Sequence, residues 1–412
     1  MRYCEKSAKF TFIFRQKFYL TKKNAVTKLA TDAKHGNVVR HFAKTKPKQK
    51  ENNMRKIIFI ICLIIFGTQN TFSQTDKETA LLKAKEGIKL MDEGKLDESI
   101  KLLEEAEKLD SEKFNYPYEK AYAYYLKQDY EKAIEILQTV KKHKNVMPEL
   151  FQLMGNSYDI LEKPEKAFEV YDEGLKKFPN AGMLYLEKGN VYWNKKDYEK
   201  ALPFYEKGIE VNPMFASNYF RATKIYCNSS EEVWGMIYGE IFINLERNSD
   251  RTYEISKLLF DTYKSEIKFT SETTTEVSFS KNTVINENDL GNDKKFKLPF
   301  TMVYEPTLLL AITGEKSIDL ISLNNIRQSF LKNLVSFGHN KTNPNVLFDY
   351  QNKIAESGNF EAYNYWLLSN GDKDNFDKWM EKNKEKWDKF VKWFTENKIK
   401  IDDSNKFTRI GS

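Results

Sequence analysis

Residues 182–215 read GMLYLEKGNVYWNKKDYEKALPFYEKGIEVNPMF, and residues 148–181 before them read PELFQLMGNSYDILEKPEKAFEVYDEGLKKFPNA. Laid over each other without a gap, these two 34-residue stretches align Gly155 with Gly189, Asn156 with Asn190, and Tyr158 with Tyr192. They also align Ala167 with Ala201, Tyr171 with Tyr205, Gly174 with Gly208 and Pro179 with Pro213. Small residues therefore recur at positions 8, 20 and 27, large ones at 11 and 24, and proline at 32. The pattern predicts two antiparallel helices per stretch, A and B, joined by a turn such as Lys196-Asp197 or Gln128-Asp129. Small side chains let the helices approach, and large ones fill the space left over. Proline ends helix B because it cannot continue the hydrogen-bonded turn. One unit cannot bury its apolar face alone, so the units must stack.

The register extends outward at the same spacing, with units starting at Ala80, Phe114, Pro148, Gly182 and Ala216. The first two units carry Gly87 and Ala121 at position 8, Ser99 and Ala133 at 20, and Leu103 and Leu137 at 24. The fifth keeps Tyr226 at position 11 but has Thr223 at 8 and Gly235 at 20. This pattern resembles the tetratricopeptide-repeat (TPR) family over about residues 78–249. The resemblance implies a mainly α protein: a right-handed α-solenoid of about five hairpins, with helix A lining a concave groove that binds another protein or peptide segment. Inward positions carried over by register give Tyr118, Tyr122 and Tyr125 in the second unit, and Gln152, Asn156 and Asp159 in the third. The fourth gives Leu186, Asn190 and Trp193, and the fifth Phe220 and Lys224. Asparagine both donates and accepts, so Asn156 and Asn190 suit the main chain of an extended guest. Tyr122, Tyr125 and Trp193 are candidate aromatic anchors, although aromatics at helical spacing ordinarily pack the fold. The Lys and Asn with which some TPR proteins grip a chaperone's terminal carboxylate are replaced by Ala84 and Ile88, so that partner is not implied.

Upstream, Met54-Arg55-Lys56 precedes the apolar run Ile57–Phe66, followed by small residues at Thr71 and Ser73. Residues 54–73 read as a secretory signal with cleavage before Gln74, which predicts an exported protein, periplasmic or secreted. Ten apolar residues span roughly 15 Å as helix, about half a bilayer core, so no transmembrane anchor is expected. Residues 1–53 read as a basic extension ahead of the true start at Met54; an organelle leader is the competing reading. The formal net charge of +7 belongs to this extension, which holds 14 Lys/Arg and 3 Asp/Glu. Residues 54–412 hold the remaining 52 Lys/Arg against 56 Asp/Glu. A mildly acidic body exerts no general pull on phosphate backbones, so nucleic acid is not the expected partner.

Residues 250–412 lack the period and read as a mostly helical region with a small extended segment. Tyr253–Ile267 predicts a helix, Lys268–Ser280 one or two strands, and Asn282–Lys297 a loop. Met302–Phe337 predicts two helices broken near Gly314. The aromatic stripe of Asn375–Asn397, with Phe376, Trp379, Trp387, Phe390, Trp393 and Phe394, predicts a core face. Catalytic signatures are scarce: no GxSxG, HExxH, P-loop or GxGxxG occurs, and Cys4, Cys62 and Cys227 are widely separated. His143 sits in a lysine-rich helix end and His339 in a loop. No cofactor, metal or enzymatic activity is expected. The competing readings are a repeat-fused enzyme, with chemistry in residues 250–412, and a self-associating structural protein.

Overall fold

Turns at a fixed interval govern the local structure. Gly94, Gln128, Glu162 and Lys196 stand 34 residues apart, and all four adopt positive φ, between 58° and 80°. Only glycine enters that region without strain, so three of these turns are held by the helices they join. Asp129 and Asp197 then cap helix B: their carboxylates accept the backbone N–H of Lys132 at 3.1 Å and of Lys200 at 3.3 Å. The third helix B instead begins at Pro164, whose fixed φ suits a first turn.

The computed structural model describes residues 75–271, 274–281 and 299–409; the expected signal, the basic extension and the loop over 282–297 lie outside these. Five hairpins follow in order. They are α1 (75–92) with α2 (Leu96–Leu109), α3 (Asn115–Leu126) with α4 (Tyr130–Val140), and α5 (Pro148–Ile160) with α6 (Pro164–Lys177). Then come α7 (Gly182–Asn194) with α8 (Tyr198–Val211) and α9 (Ala216–Tyr226) with α10 (Glu232–Leu245). Each A helix packs on its own B helix, and α3, α5, α7 and α9 pack side by side. An α-solenoid results.

The recurring small residues are explained by what a side chain would meet. A Cβ on Gly155 would lie 2.1 Å from Tyr171 Cε1, and one on Gly189 would lie 2.4 Å from Tyr205 Cε1. The tyrosine of helix B thus lies directly across the glycine of helix A. Position 27 serves the expected contact within the hairpin at Gly174, where an added Cβ would meet Phe151 of its own helix A at 2.7 Å, and a contact to the next hairpin as well. Gly174 meets Leu184 of the next hairpin, and Gly208 meets Asn218 of the next. The fifth hairpin keeps the close approach but exchanges sides: Thr223 stands on helix A, and the small residue is Gly239 on helix B, with Thr223 Cγ2 only 2.9 Å from where its Cβ would be.

α11 (Asp250–Glu266) begins 34 residues after α9 and packs on both α9 and α10. It takes the place of a sixth helix A, so the stacking runs past the expected boundary at 249. A two-stranded antiparallel hairpin follows, β1 (Ile267–Phe269) with β2 (Thr275–Val277), in which Lys268 faces Glu276. The remaining helices are α12 (Phe300–Ala311), α13 (Leu320–Ser336), α14 (His339–Thr342), α15 (Val346–Glu356), α16 (Phe360–Leu368), α17 (Lys373–Lys382) and α18 (Lys384–Glu396). The break near Gly314 is present, with φ +95°. The aromatic stripe is core: Trp379, Phe390 and Phe394 are buried, with Phe376, Trp387 and Trp393 against them.

This second half closes on the end of the solenoid without a break in packing, since one core runs from Leu186 to Phe407. Residues 232–244 of α10 are all buried, which explains why that helix is apolar on every side and why the fifth unit departs from the pattern. The two halves are joined by a buried ion pair. Arg327 donates to both Glu240 oxygens, at 2.7 and 2.9 Å, while Gln351 and Tyr363 donate to the same carboxylate at 2.6 and 2.8 Å. The chain then returns along the B helices. Phe407 packs on Trp234 and Phe300, Lys406 donates to the Glu210 carbonyl at 2.9 Å, and Arg409 donates to buried Glu206 at 3.0 Å.

Candidate functional site

Side chains at positions 2, 5, 9 and 12 of each helix A fall on one face, because three- and four-residue steps return to the same side of a helix. On α5 that face holds Glu149, Gln152, Asn156 and Asp159, all half-buried. On α3 it ends in half-buried Tyr125, and on α7 it holds half-buried Asn190 and Trp193. Seven of the eleven residues expected to line a groove thus remain partly accessible on the helix A face: Tyr125, Gln152, Asn156, Asp159, Asn190, Trp193 and Lys224. Four do not. Tyr118, Tyr122, Leu186 and Phe220 are buried within the array. Tyr118 packs on Phe114, Tyr122 stacks on Tyr125 at 6.3 Å, and Phe220 packs on Phe242 at 5.2 Å. Apolar and aromatic bodies at these positions are drawn between adjacent helices, so they hold the array together.

The repeated asparagines also have an internal task. Tyr171 Oη donates to Asn156 Oδ1 at 2.6 Å, and Tyr205 Oη donates to Asn190 Oδ1 at 3.1 Å. Each buried tyrosine hydroxyl needs a partner once it lies across its glycine, and position 9 supplies it. Expecting both ends of the amide to face a guest is therefore corrected: the carbonyl ends are engaged. Asn190 Nδ2 in turn donates to Glu187 Oε2 at 2.9 Å, and Gln152 Nε2 donates to Glu187 Oε1 at 2.7 Å. Glu187 was missed because it stands at position 6, outside the inward register; the two amides draw it in. Glu149 was legible, since position 2 belongs to that register. Burial pushes the carboxyls of Asp159 and Glu149 above their ordinary values, the shift at Asp159 being opposed by Lys195 and by a hydrogen bond from Asn194.

Farther along, the charges are settled by neighbours. Lys224 pairs with Glu254 and Arg251 with Glu246, while the Arg221 guanidinium lies 4.4 Å from the Trp193 ring centre. Trp193 also meets Tyr198 edge-on at 5.0 Å.

The other candidates for chemistry are occupied by structure. The Cys227 thiol is pushed up to about 12 by burial and lies against Gly235, where an added Cβ would be 2.4 Å from its sulfur. His143 Nδ1 accepts the Asn145 backbone N–H at 3.1 Å, and its ring stacks on Phe114. A small cavity at the junction is lined by Glu240, Arg327, Gln351, Tyr263 and Tyr304. Its only carboxylate already accepts four hydrogen bonds. Among the described residues, no helix is long and apolar enough to cross a membrane.

Family models for the tetratricopeptide repeat match residues 85–144 and 183–215. No curated protein matches the chain. Similar solved structures include the MamA protein, at 20% identity, covering 41% of this chain and 92% of that one, with a TM-score of 0.33. YrrB, described as a TPR protein with an unusual peptide-binding site, is 18% identical over 43% of this chain and 92% of its own, with a TM-score of 0.30. PilF of Pseudomonas aeruginosa is 14% identical over 46% and 86%, with a TM-score of 0.39. With paired helices at a 34-residue interval and family matches over the first, second and fourth hairpins, the chain carries an array of tetratricopeptide repeats.

Proposed function

We propose that this protein is an exported interaction scaffold that holds an extended segment of a partner protein along the helix A face of hairpins two to five, acting by binding and without catalysis. The observation that carries the reading is where the second half of the chain goes. It packs on α10, on α11 and, through its tail, on the B helices, while Tyr125, Gln152 and Trp193 contact Tyr130, Glu187 and Tyr198 of the array. A face with partly buried aromatics and amides suits a guest chain. Aromatic anchors contribute roughly 1–3 kcal/mol each when a ligand covers them, and micromolar binding needs only about 8 kcal/mol in total. Export rests on the signal-like residues 54–73. Mass spectrometry of the natural N-terminus tests it, with Gln74 as the expected first residue.

The groove is tested by recovering partners with Tyr125→Ala/Trp193→Ala and with an outer-surface control, Lys132→Ala/Glu135→Ala, on α4. The expected result is loss of a partner with the first pair and full recovery with the second, at unchanged circular dichroism. Equal recovery with both overturns the groove.

A further inference from the structure

We infer that the outer face of α12 and α13 docks a second copy of this chain, the two copies being related by a two-fold axis that passes at the level of Pro306 and Gln328. The inference goes beyond the groove reading and uses no residue of the helix A face. It starts from where apolar side chains are left in water. Half of the large hydrophobic side chains exposed among the described residues lie on this helix pair and the residue after it: Met302, Leu309, Leu310, Ile321, Val335 and Phe337. Single exposed apolar residues are ordinary, but a cluster of them marks an interaction surface. The two helices are antiparallel neighbours. Tyr304 and Phe330 meet at 5.1 Å, and nearer the connecting turn Asn325 donates to Glu315 at 3.1 Å. Their inner sides enter one core, through Tyr304 and Leu308 on α12 and Phe330 and Leu334 on α13. The exposed positions form two adjacent stripes: Met302, Pro306 and Leu310 on α12, and Ile321, Asn325, Gln328, Lys332 and Val335 on α13.

Each stripe carries apolar side chains at both ends, and both turn about the same level. Pro306 is the midpoint between Met302 and Leu310, and Gln328 is the midpoint between Ile321 and Val335. In an antiparallel pair, two residues on from Tyr304 matches two residues back from Phe330, so the ring contact sets Pro306 level with Gln328. A two-fold axis at that level, lying in the face and across the helices, lays each helix antiparallel on its counterpart. Met302 then lands on Leu310 of the second copy, and Ile321 on Val335 of the second copy. Lys332 comes to the level of the other copy's Asn325 and of the Glu315 carboxylate that Asn325 holds, so unlike charges oppose each other at both ends. One operation thus matches apolar groups and charge together, as an isologous contact requires. The size is also suitable. The 17 residues of α13 make a helix about 25 Å long, and two helices side by side are about 20 Å wide. That is the scale of a standard interface, which covers roughly 800 Å² per partner.

The experiment is sedimentation of the full chain, as processed by the cell, at about 1 to 100 μM, the range in which an interface worth roughly 7–8 kcal/mol assembles. A dimer whose share rises with concentration is expected. Leu310→Glu, at a side chain 55% exposed, should leave Tm unchanged and the chain monomeric, because it sets a carboxylate against Met302 of the other copy. The register is tested by charge reversal. Lys332→Glu and Glu315→Lys should each weaken the dimer about tenfold by opposing like charges, and the double variant Lys332→Glu/Glu315→Lys should restore it. A monomer at every concentration overturns the proposal and leaves the face to another occupant. A dimer that persists in Leu310→Glu at unchanged Tm places the contact elsewhere and equally overturns it. A dimer lost with Leu310→Glu but not restored by the double reversal overturns the two-fold register.

Discussion

Tyr171 and Tyr205 each lie across a glycine on the facing helix and reach past it to an asparagine, so three residues of one hairpin form a single lock. Gly155→Ala forces a methyl group into the Tyr171 ring and should cost about 1–3 kcal/mol, the usual penalty for overpacking a core; a lowered urea midpoint at unchanged slope would record it. Asp159 makes the opposite case. Burial raises its folded pKa above the unfolded value, so the native state favours the protonated form. Stability from this group is fully present below its ordinary value near 3.8 and is lost as pH rises through the folded pKa. Asp159→Asn, which never ionises, should therefore raise Tm at pH 7, with the gain fading as the pH falls toward 3.8. A lower Tm at pH 7 would mean that the carboxylate has a stabilising partner.

At the scale of elements, the fifth hairpin shows one physical demand met by two sequences. Close approach of helices A and B needs one small side chain at the crossing, and either helix can supply it. Hairpins three and four place it on A, as Gly155 and Gly189, and hairpin five on B, as Gly239. Its B helix, α10, also carries Glu240, which joins the solenoid to α13, α15 and α16 through Arg327, Gln351 and Tyr363. Arg327→Met should cost about 3–5 kcal/mol, because it leaves a buried carboxylate without its counter-charge. Adding Glu240→Leu should restore much of that loss, and a double-mutant cycle in urea measures the coupling. If the single variant costs under about 1 kcal/mol, water reaches the junction and the pair does not join the halves.

Over the whole molecule, the chain ends by crossing back over its own B helices. Arg409 neutralises Glu206, which is 3% exposed and also accepts from Tyr226 at 2.7 Å, and Phe407 fills the space between Trp234 and Phe300. Truncation after Asn397 should therefore leave a buried carboxylate unmatched and expose part of α10. Hydrogen exchange is expected to quicken in α8 and α10, where the described tail packs, and to stay unchanged in α5. Equal quickening along the array would mean that the tail stabilises the solenoid globally and not at these two helices.

The repeats were legible from the chain because their contacts are local. The glycine at position 8, the tyrosine at 24 and the proline at 32 meet within one 34-residue unit, so spacing alone dictates stacked hairpins. The same locality made the break at Gly314 and the buried aromatic stripe readable. The Glu240–Arg327 pair spans 87 residues and the Arg409–Glu206 pair 203, and neither leaves a periodic trace. Position in a repeat named the helix A face but could not sort it. Tyr118, Tyr122, Leu186 and Phe220 became core, Asn156 and Asn190 became partners of tyrosines, and Glu187 entered from outside the register, because burial and hydrogen bonding depend on which neighbouring helix lies opposite. Periodicity determined the solenoid; only packing between helices settled which side chains of the helix A face stay partly accessible.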